Sequence, residues 1–164
     1  MSKSIVDSPP SKALRLGLRL PIWFYRLRLG WLLGDRFLML IHTGRKSGLP
    51  RQTVIEVVQH DKQTDTYYVA SGWGEKSDWY RNISKSPAVT VHVGGRMFQT
   101  KADFIPMEKA VVLMEAYARD HPTAFKELSS LFVGERMQPG SDAPRRLAEK
   151  MPMVAFQRNK LPSG

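Results

Sequence analysis

Cysteine is missing from the chain, and with it go disulfides, thiolate chemistry and Cys-ligated metal or iron–sulfur centres. That absence fits a reducing, cytoplasmic setting. Acidic residues are scarce beside basic ones: 15 Asp and Glu stand against 25 Lys and Arg, a net charge of +10. Nucleic acid, an anionic membrane or a polyanionic ligand is therefore the expected class of partner. The excess is uneven, with +7 in residues 1–60 and +3 in residues 61–164. No apolar run is long enough to cross a membrane, because Arg15, Arg19, Arg26 and Arg28 interrupt the Leu-rich N-terminal stretch. The histidines, His42, His60, His92 and His121, stand at no spacing that puts two on one helix face, so structural or surface roles are expected for them rather than metal ligation. Gly-x-Ser-x-Gly is absent, no carboxylate pair stands out, and Arg45 sits before Lys46 where a nucleotide P-loop needs glycine. The side chains offer no self-contained catalytic machinery, which leaves the chemistry to a bound cofactor. Nucleic acid is disfavoured in turn, since a recognition-helix pattern, an aromatic-and-basic sheet motif and a long basic tail are all lacking.

What is present suits one folded domain: 164 residues, of which 42% are hydrophobic. Residues 1–11, with Pro9-Pro10, read as a flexible leader without signal-peptide character, and residues 12–164 as a single domain. From Lys12 to Leu33 the chain is an amphipathic helix. Lys12, Arg15, Arg19 and Arg26 fall within about 60° of one another at helical spacing, with Trp23 beside them. Two readings of it stand: a helix lying on an anionic membrane surface, or one that covers the open end of the fold and extends its arginines into water.

Strand patterns follow at 37–43, 51–59, 66–71, 89–93, 96–104 and 153–157, with a polar hairpin loop over 60–65 and Gly94-Gly95 as the strongest hairpin signal. Helical patterns cover 78–84 with Ser77 as candidate N-cap, 107–120 with Pro106 at its start, 122–132 and 142–150, and a loop covers 134–141. Val111, Leu113, Met114 and Tyr117 are the expected core contacts of the second of these helices. About six antiparallel strands, most of them hairpin neighbours and one delivered late, predict a mainly β, α+β fold in which the sheet curls into a small barrel flanked by helices.

Between the first two strands lies His42-Thr43-Gly44-Arg45-Lys46-Ser47-Gly48-Leu49-Pro50-Arg51. Three cations, two glycines and two hydroxyls in ten residues suit a turn that holds phosphate or carboxylate, although an ordinary solvated hairpin has the same composition. If the first three strands form a meander, this loop and residues 72–77 open at the same end. Trp79-Tyr80 on the short helix could stack on a planar ring or simply pack in the core.

Taken together, Leu38 to Arg51, Val69-Ala70-Ser71, Trp79-Tyr80-x-Asn82-Ile83-x-x-x-Pro87-x-Val89, Gly94-Gly95-Arg96 and Met151-Pro152-Met153-Val154 resemble the deazaflavin-dependent nitroreductases and quinone reductases. The resemblance implies a split β-barrel that binds coenzyme F420, an 8-hydroxy-5-deazaflavin carrying a phosphate and an oligoglutamate tail. It implies that Arg45, Lys46 and Ser47 hold the phosphate and tail, that Arg51, Gln52, Thr53, Val54 and Ile55 line the deazaflavin with Val69, Ala70 and Ser71, and that Trp79, Tyr80 and Asn82 complete the pocket. Ser71 is the implied polar contact at the reacting ring. The implied activity is hydride transfer to a quinone, enone or nitroaromatic. The alternatives are an FMN-binding reductase of the same barrel and a non-catalytic deazaflavin- or lipid-binding protein, as monomer or homodimer. The chain departs from nitroaromatic-reducing relatives at residues 121–128, where their tyrosines are replaced by His-Pro-Thr-Ala-Phe-Lys-Glu-Leu, and in a longer 129–150 segment.

Overall fold

In a computed structural model, described over residues 34–133 and 142–158, alternation of apolar and polar side chains builds a curved antiparallel sheet of seven strands. β1 (Phe37–Thr43) pairs with β2 (Pro50–Asp61), setting Leu38 opposite Ile55 and Leu40 opposite Thr53. β3 (Thr66–Ala70), β4 (Ala88–Val93), β5 (Arg96–Lys101), β6 (Asp103–Phe104) and β7 (Met153–Gln157) complete the order β5-β4-β1-β2-β3-β7-β6. A 3₁₀ turn at Gly74–Lys76 leads into α1 (Asp78–Lys85), and α2 (Met107–Asp120), α3 (Pro122–Val133) and α4 (Ala143–Lys150) follow β6. This is the expected split barrel with flanking helices. The expected leader over 1–11, the amphipathic helix over 12–33 and the loop over 134–141 lie outside the described residues.

Successive residues of a strand point to opposite faces, and β3 and β7 therefore serve two cores at once. Tyr67, Val69, Val154 and Phe156 turn into the barrel with Leu38, Leu40, Ile83 and Val91. Tyr68, Met153 and Ala155 turn outward beneath Met114, Tyr117, Phe125 and Leu147 of the helices. Val111, Leu113, Met114 and Tyr117 are all buried, as the helical spacing predicts. Phe156 is fully buried, and truncating it to alanine is expected to cost about 3–5 kcal/mol.

Two expectations change. The single strand over 96–104 breaks at buried Ala102, whose N–H donates to the Pro87 carbonyl at 2.8 Å. Before the break β5 pairs with β4, and after it β6 pairs with β7, so the chain steps from one side of the barrel to the other and the strands number seven. The Thr100 hydroxyl donates to the Gln157 carbonyl at 2.6 Å, tying β5 to β7 across the same step. The polar break expected from His60 also starts later, because His60 and Asp61 still pair with Tyr67 and Thr66. His60 stacks on Tyr67 at 3.9 Å and its Nε2 donates to Asp65 Oδ1 at 2.9 Å, a structural role at the barrel end away from the basic loop. Gly94 and Gly95 take φ of +55° and +76°, which a two-residue hairpin turn requires.

Candidate functional site

The loop between β1 and β2 is closed by its own backbone. Gly44 N–H donates to the Leu49 carbonyl and Gly48 N–H to the Gly44 carbonyl, each at 2.8 Å, and Ser47 Oγ accepts from Leu49 N–H at 3.2 Å. A side-chain carbon at Gly44 would stand 2.6 Å from Ser47 Oγ, and Gly48 sits at φ +69°. Lys46, Ser47 and Arg51 are exposed around this turn, while the Arg45 side chain keeps 20% of its surface.

Arg45 is fastened to α1. Its backbone N–H and its Nη1 both donate to Asn82 Oδ1 at 3.0 Å, and its Nη2 donates to Asp78 Oδ1 at 3.0 Å. Lys85 Nζ donates to the Arg45 carbonyl at 3.1 Å. With Oδ1 committed to two donors, the amide nitrogen of Asn82 must face His42, donating to Nδ1 at 3.1 Å. His42 is therefore the neutral tautomer with its proton on Nε2. Burial, and then the charge of Arg51, push its pKa down to about 4 against the opposing pull of Asp78.

The meander brings residues 71–77 to the same end as this loop. Ser71 is fully buried: its N–H donates to the Pro152 carbonyl at 2.9 Å, and its hydroxyl lies 2.7 Å from the Gly74 carbonyl and 2.6 Å from Ser77 Oγ. The Ser71 hydroxyl is the donor in both contacts, its one proton shared between the Gly74 carbonyl and Ser77 Oγ. Ser77 stands at the N-cap position of α1, but its side chain makes no capping bond; it belongs to the Ser71 turn instead. Trp79 and Tyr80 pack edge to face at 5.9 Å against the barrel interior.

The implied ligand-binding set is thus divided. Arg45 and Asn82 are bonded to each other, with Lys46 and Ser47 on the same loop. By alternation Gln52 and Val54 share the outer face of β2, opposite Ile41 and Met39, while Arg51, Thr53 and Ile55 share the other face. Val69 is fully buried in the barrel, and Ala70 is turned toward the helices. The sequence marks neither His42 nor Asp78 as a binding residue; the one signal for His42 is its place at the end of the inward row Leu38, Leu40, His42.

Glu56 continues the outer row of Gln52 and Val54, and there the strand meets a cavity of about 480 Å³ lined by β2, α2 and the start of α3. Tyr117 on α2 donates to Glu56 Oε1 at 3.4 Å, and its ring lies 5.3 Å from that of His121. Burial, reinforced by Glu56, pushes the Tyr117 phenol up to about 12, which keeps it a hydrogen-bond donor throughout the neutral range. Among the described residues no cluster of side chains could hold a metal ion. The basic loop, with its glycine turn and three cations, fits an extended anionic group.

The family model described as F420H(2)-dependent quinone reductase matches residues 18–128. Similar solved structures include an F420-H2-dependent reductase, at 17% identity and a TM-score of 0.51, covering 76% of this chain and 96% of that one. An FMN-binding protein of Nostoc punctiforme, related to pyridoxamine 5′-phosphate oxidase, is similar at 10% identity and a TM-score of 0.53, covering 92% and 83%. A domain-swapped dimer is similar at 16% identity and a TM-score of 0.51, covering 84% and 99%. At these identities the structures establish the fold alone. No curated protein matches. The family match supports an oxidoreductase role with a flavin-type cofactor, F420 or FMN, and it spans more than half of the chain: the protein belongs to the F420H(2)-dependent quinone reductase family.

Proposed function

We propose that the protein is a reductase that binds coenzyme F420 and delivers a hydride to a quinone or a related enone or nitroaromatic acceptor. When bound, the reduced deazaflavin supplies the hydride. The observation that carries this reading is the spread of cations around one glycine turn. Arg45 is anchored, while Lys46 and Arg51 are exposed and carry no salt bridge among the described residues, an arrangement suited to a phosphate continued by a carboxylate-bearing tail rather than to one terminal phosphate. FMN, which has only the latter, is the weaker fit.

In this reading Arg45, Lys46 and Ser47 hold the anionic part and Gln52 and Val54 line the planar ring, while Trp79 and Tyr80, packed against the barrel interior, brace the helix behind the loop. The outer row of β2 runs from Gln52 to Glu56, about 13 Å along the strand, and so leads from the loop to the cavity. That cavity is the place we assign to the acceptor. Tyr117 would donate a hydrogen bond to an acceptor oxygen on which negative charge develops, in exchange for its long, 3.4 Å bond to Glu56. Ser71, with its hydroxyl committed to the turn, would touch a reacting ring only if that turn opened; as placed it supports the wall of the site.

Fluorescence titration with oxidised F420 tests the reading. Binding that is weakened at least tenfold by Lys46→Ala supports it. A yellow protein that carries FMN and ignores F420 would replace it with the flavin alternative, and binding of F420 without its turnover by any quinone would leave a carrier.

A further inference from the structure

Among the described residues, Arg45 is the one cation of the loop that already has a carboxylate. Asp78 Oδ1 lies 3.0 Å from Nη2, and the Asp78 side chain is 84% exposed against 20% for Arg45. Opposite it, Asn82 fixes the same guanidinium through Nη1 and is itself fixed by buried His42. The two contacts differ in kind. Asn82 is neutral, buried and braced, so it sets where the guanidinium points. Asp78 is charged, solvent-facing and has no other ionic partner among the described residues, so it fills the place an anionic ligand would take.

We propose that Asp78 is a built-in competitor at the anion site. Its carboxylate occupies Arg45 in the free protein and must be displaced by the ligand, while the His42–Asn82 pair keeps the guanidinium aimed for the exchange. This inference rests on the proposed function, because it takes the basic loop as the site of the cofactor's phosphate and tail. The consequence is selectivity by charge. A ligand with one negative charge merely trades places with Asp78. A ligand with several gains Arg45 and also reaches Lys46 and Arg51, which no carboxylate of α1 engages in the free protein. Small monoanions are thereby disfavoured and a phosphate with a polycarboxylate tail is favoured.

The opposing signs of two substitutions test the idea on the full-length protein. Affinity is read by fluorescence titration with oxidised, glutamylated F420 and, separately, with the deazaflavin riboside that lacks the phosphate and the glutamate tail. Asp78→Asn should tighten F420 binding about two- to fivefold at low ionic strength, the scale of one exposed ion pair. The gain should shrink in high salt and be absent for the riboside. Asn82→Ala should weaken F420 binding about tenfold or more, again without effect on the riboside. Melting temperatures check that both variants fold, and Asp78→Ser repeats the first test should Asp78→Asn be unstable. F420 binding that is unchanged or weakened in a folded Asp78 variant, or tightening that is equal for the riboside, overturns the competitor. Failure of the native protein to bind F420 at all overturns the functional reading, and this inference with it.

Discussion

His42 and Asn82 form a buried side-chain pair that joins β1 to α1: the amide of Asn82 donates to His42 Nδ1 at 3.1 Å, forty residues away in sequence. The bond exists only while Nδ1 keeps its lone pair. Protonation would set two donors face to face and loosen the support of Arg45.

That pairing makes the fold acid-sensitive. The His42 pKa is about 4 in the folded protein and near 6.5 in the unfolded chain, so between those values the unfolded state binds the extra proton. Stability should therefore fall as pH drops from about 6.5 towards 4, by on the order of 2–3 kcal/mol. Denaturant melts across this range check it. The acid limb should shrink in His42→Gln, and persistence of the full limb in that variant would assign it to other groups.

Tyr117 gives the opposite limb. Its pKa is raised from 10.0 to about 12, so above pH 10 the unfolded chain loses a proton that the folded protein keeps. Stability should decline from about pH 10 to pH 12, a loss that Tyr117→Phe reduces, leaving the share owed to Tyr67 and Tyr80, whose phenols burial also pushes up. Ultraviolet titration of the phenols reads the shifted group directly. If the cavity takes the acceptor, the same variant should raise the quinone KM or lower kcat while leaving F420 affinity unchanged.

Ser71 and Ser77 separate a structural serine from one that meets the reacting ring. Each is buried and each holds the other, so Ser71→Ala and Ser77→Ala should both cost about 1–2 kcal/mol. Equal losses of turnover in the two variants would assign Ser71 to the turn. A much larger loss for Ser71→Ala, at equal stability, would show that its hydroxyl reaches the ring.

Gly44→Ala and Gly48→Ala should damage the loop for different reasons. The first pushes Ser47 off its contact with Leu49 N–H, since the new carbon lies 2.6 Å from Ser47 Oγ. The second places an L-residue at φ +69°, at a cost of about 1 kcal/mol or more. F420 affinity should drop in both, with a small change in melting temperature for Gly48→Ala. Undiminished affinity in both would remove the loop from the binding site.

Much of this architecture is legible from local pattern. Strands 37–43 and 153–157 and helix 107–120 come out with the bounds the sequence suggests, because alternation in the strands and helical spacing in α2 each mark a buried face. The break at Ala102 is not legible, because it answers to the carbonyl of Pro87, in the turn just before β4. The same holds for the register shift between Val57 and Gln59, which depends on how β3 lies beside β2. At the candidate site the cations of the loop are plain in the sequence, and their partners are not. Asp78 reads there as an ordinary acid in the first turn of a helix, and Glu56 as one polar residue of an alternating strand. What gives them meaning is contact with Arg45 and Tyr117, and no local pattern encodes such long-range contacts.

β2 also behaves as a ruler. Its inward row is locked into the barrel while its outward row, Gln52, Val54 and Glu56, connects the basic loop to the cavity, so the span of about 20 Å from Pro50 to Glu56 cannot stretch to suit a ligand. A residue inserted between Arg51 and Val54 would do more than lengthen it. Every side chain beyond the insertion would change sides, carrying Glu56 into the apolar interior and Ile55 out to the cavity, and the measure and the fold would fail together.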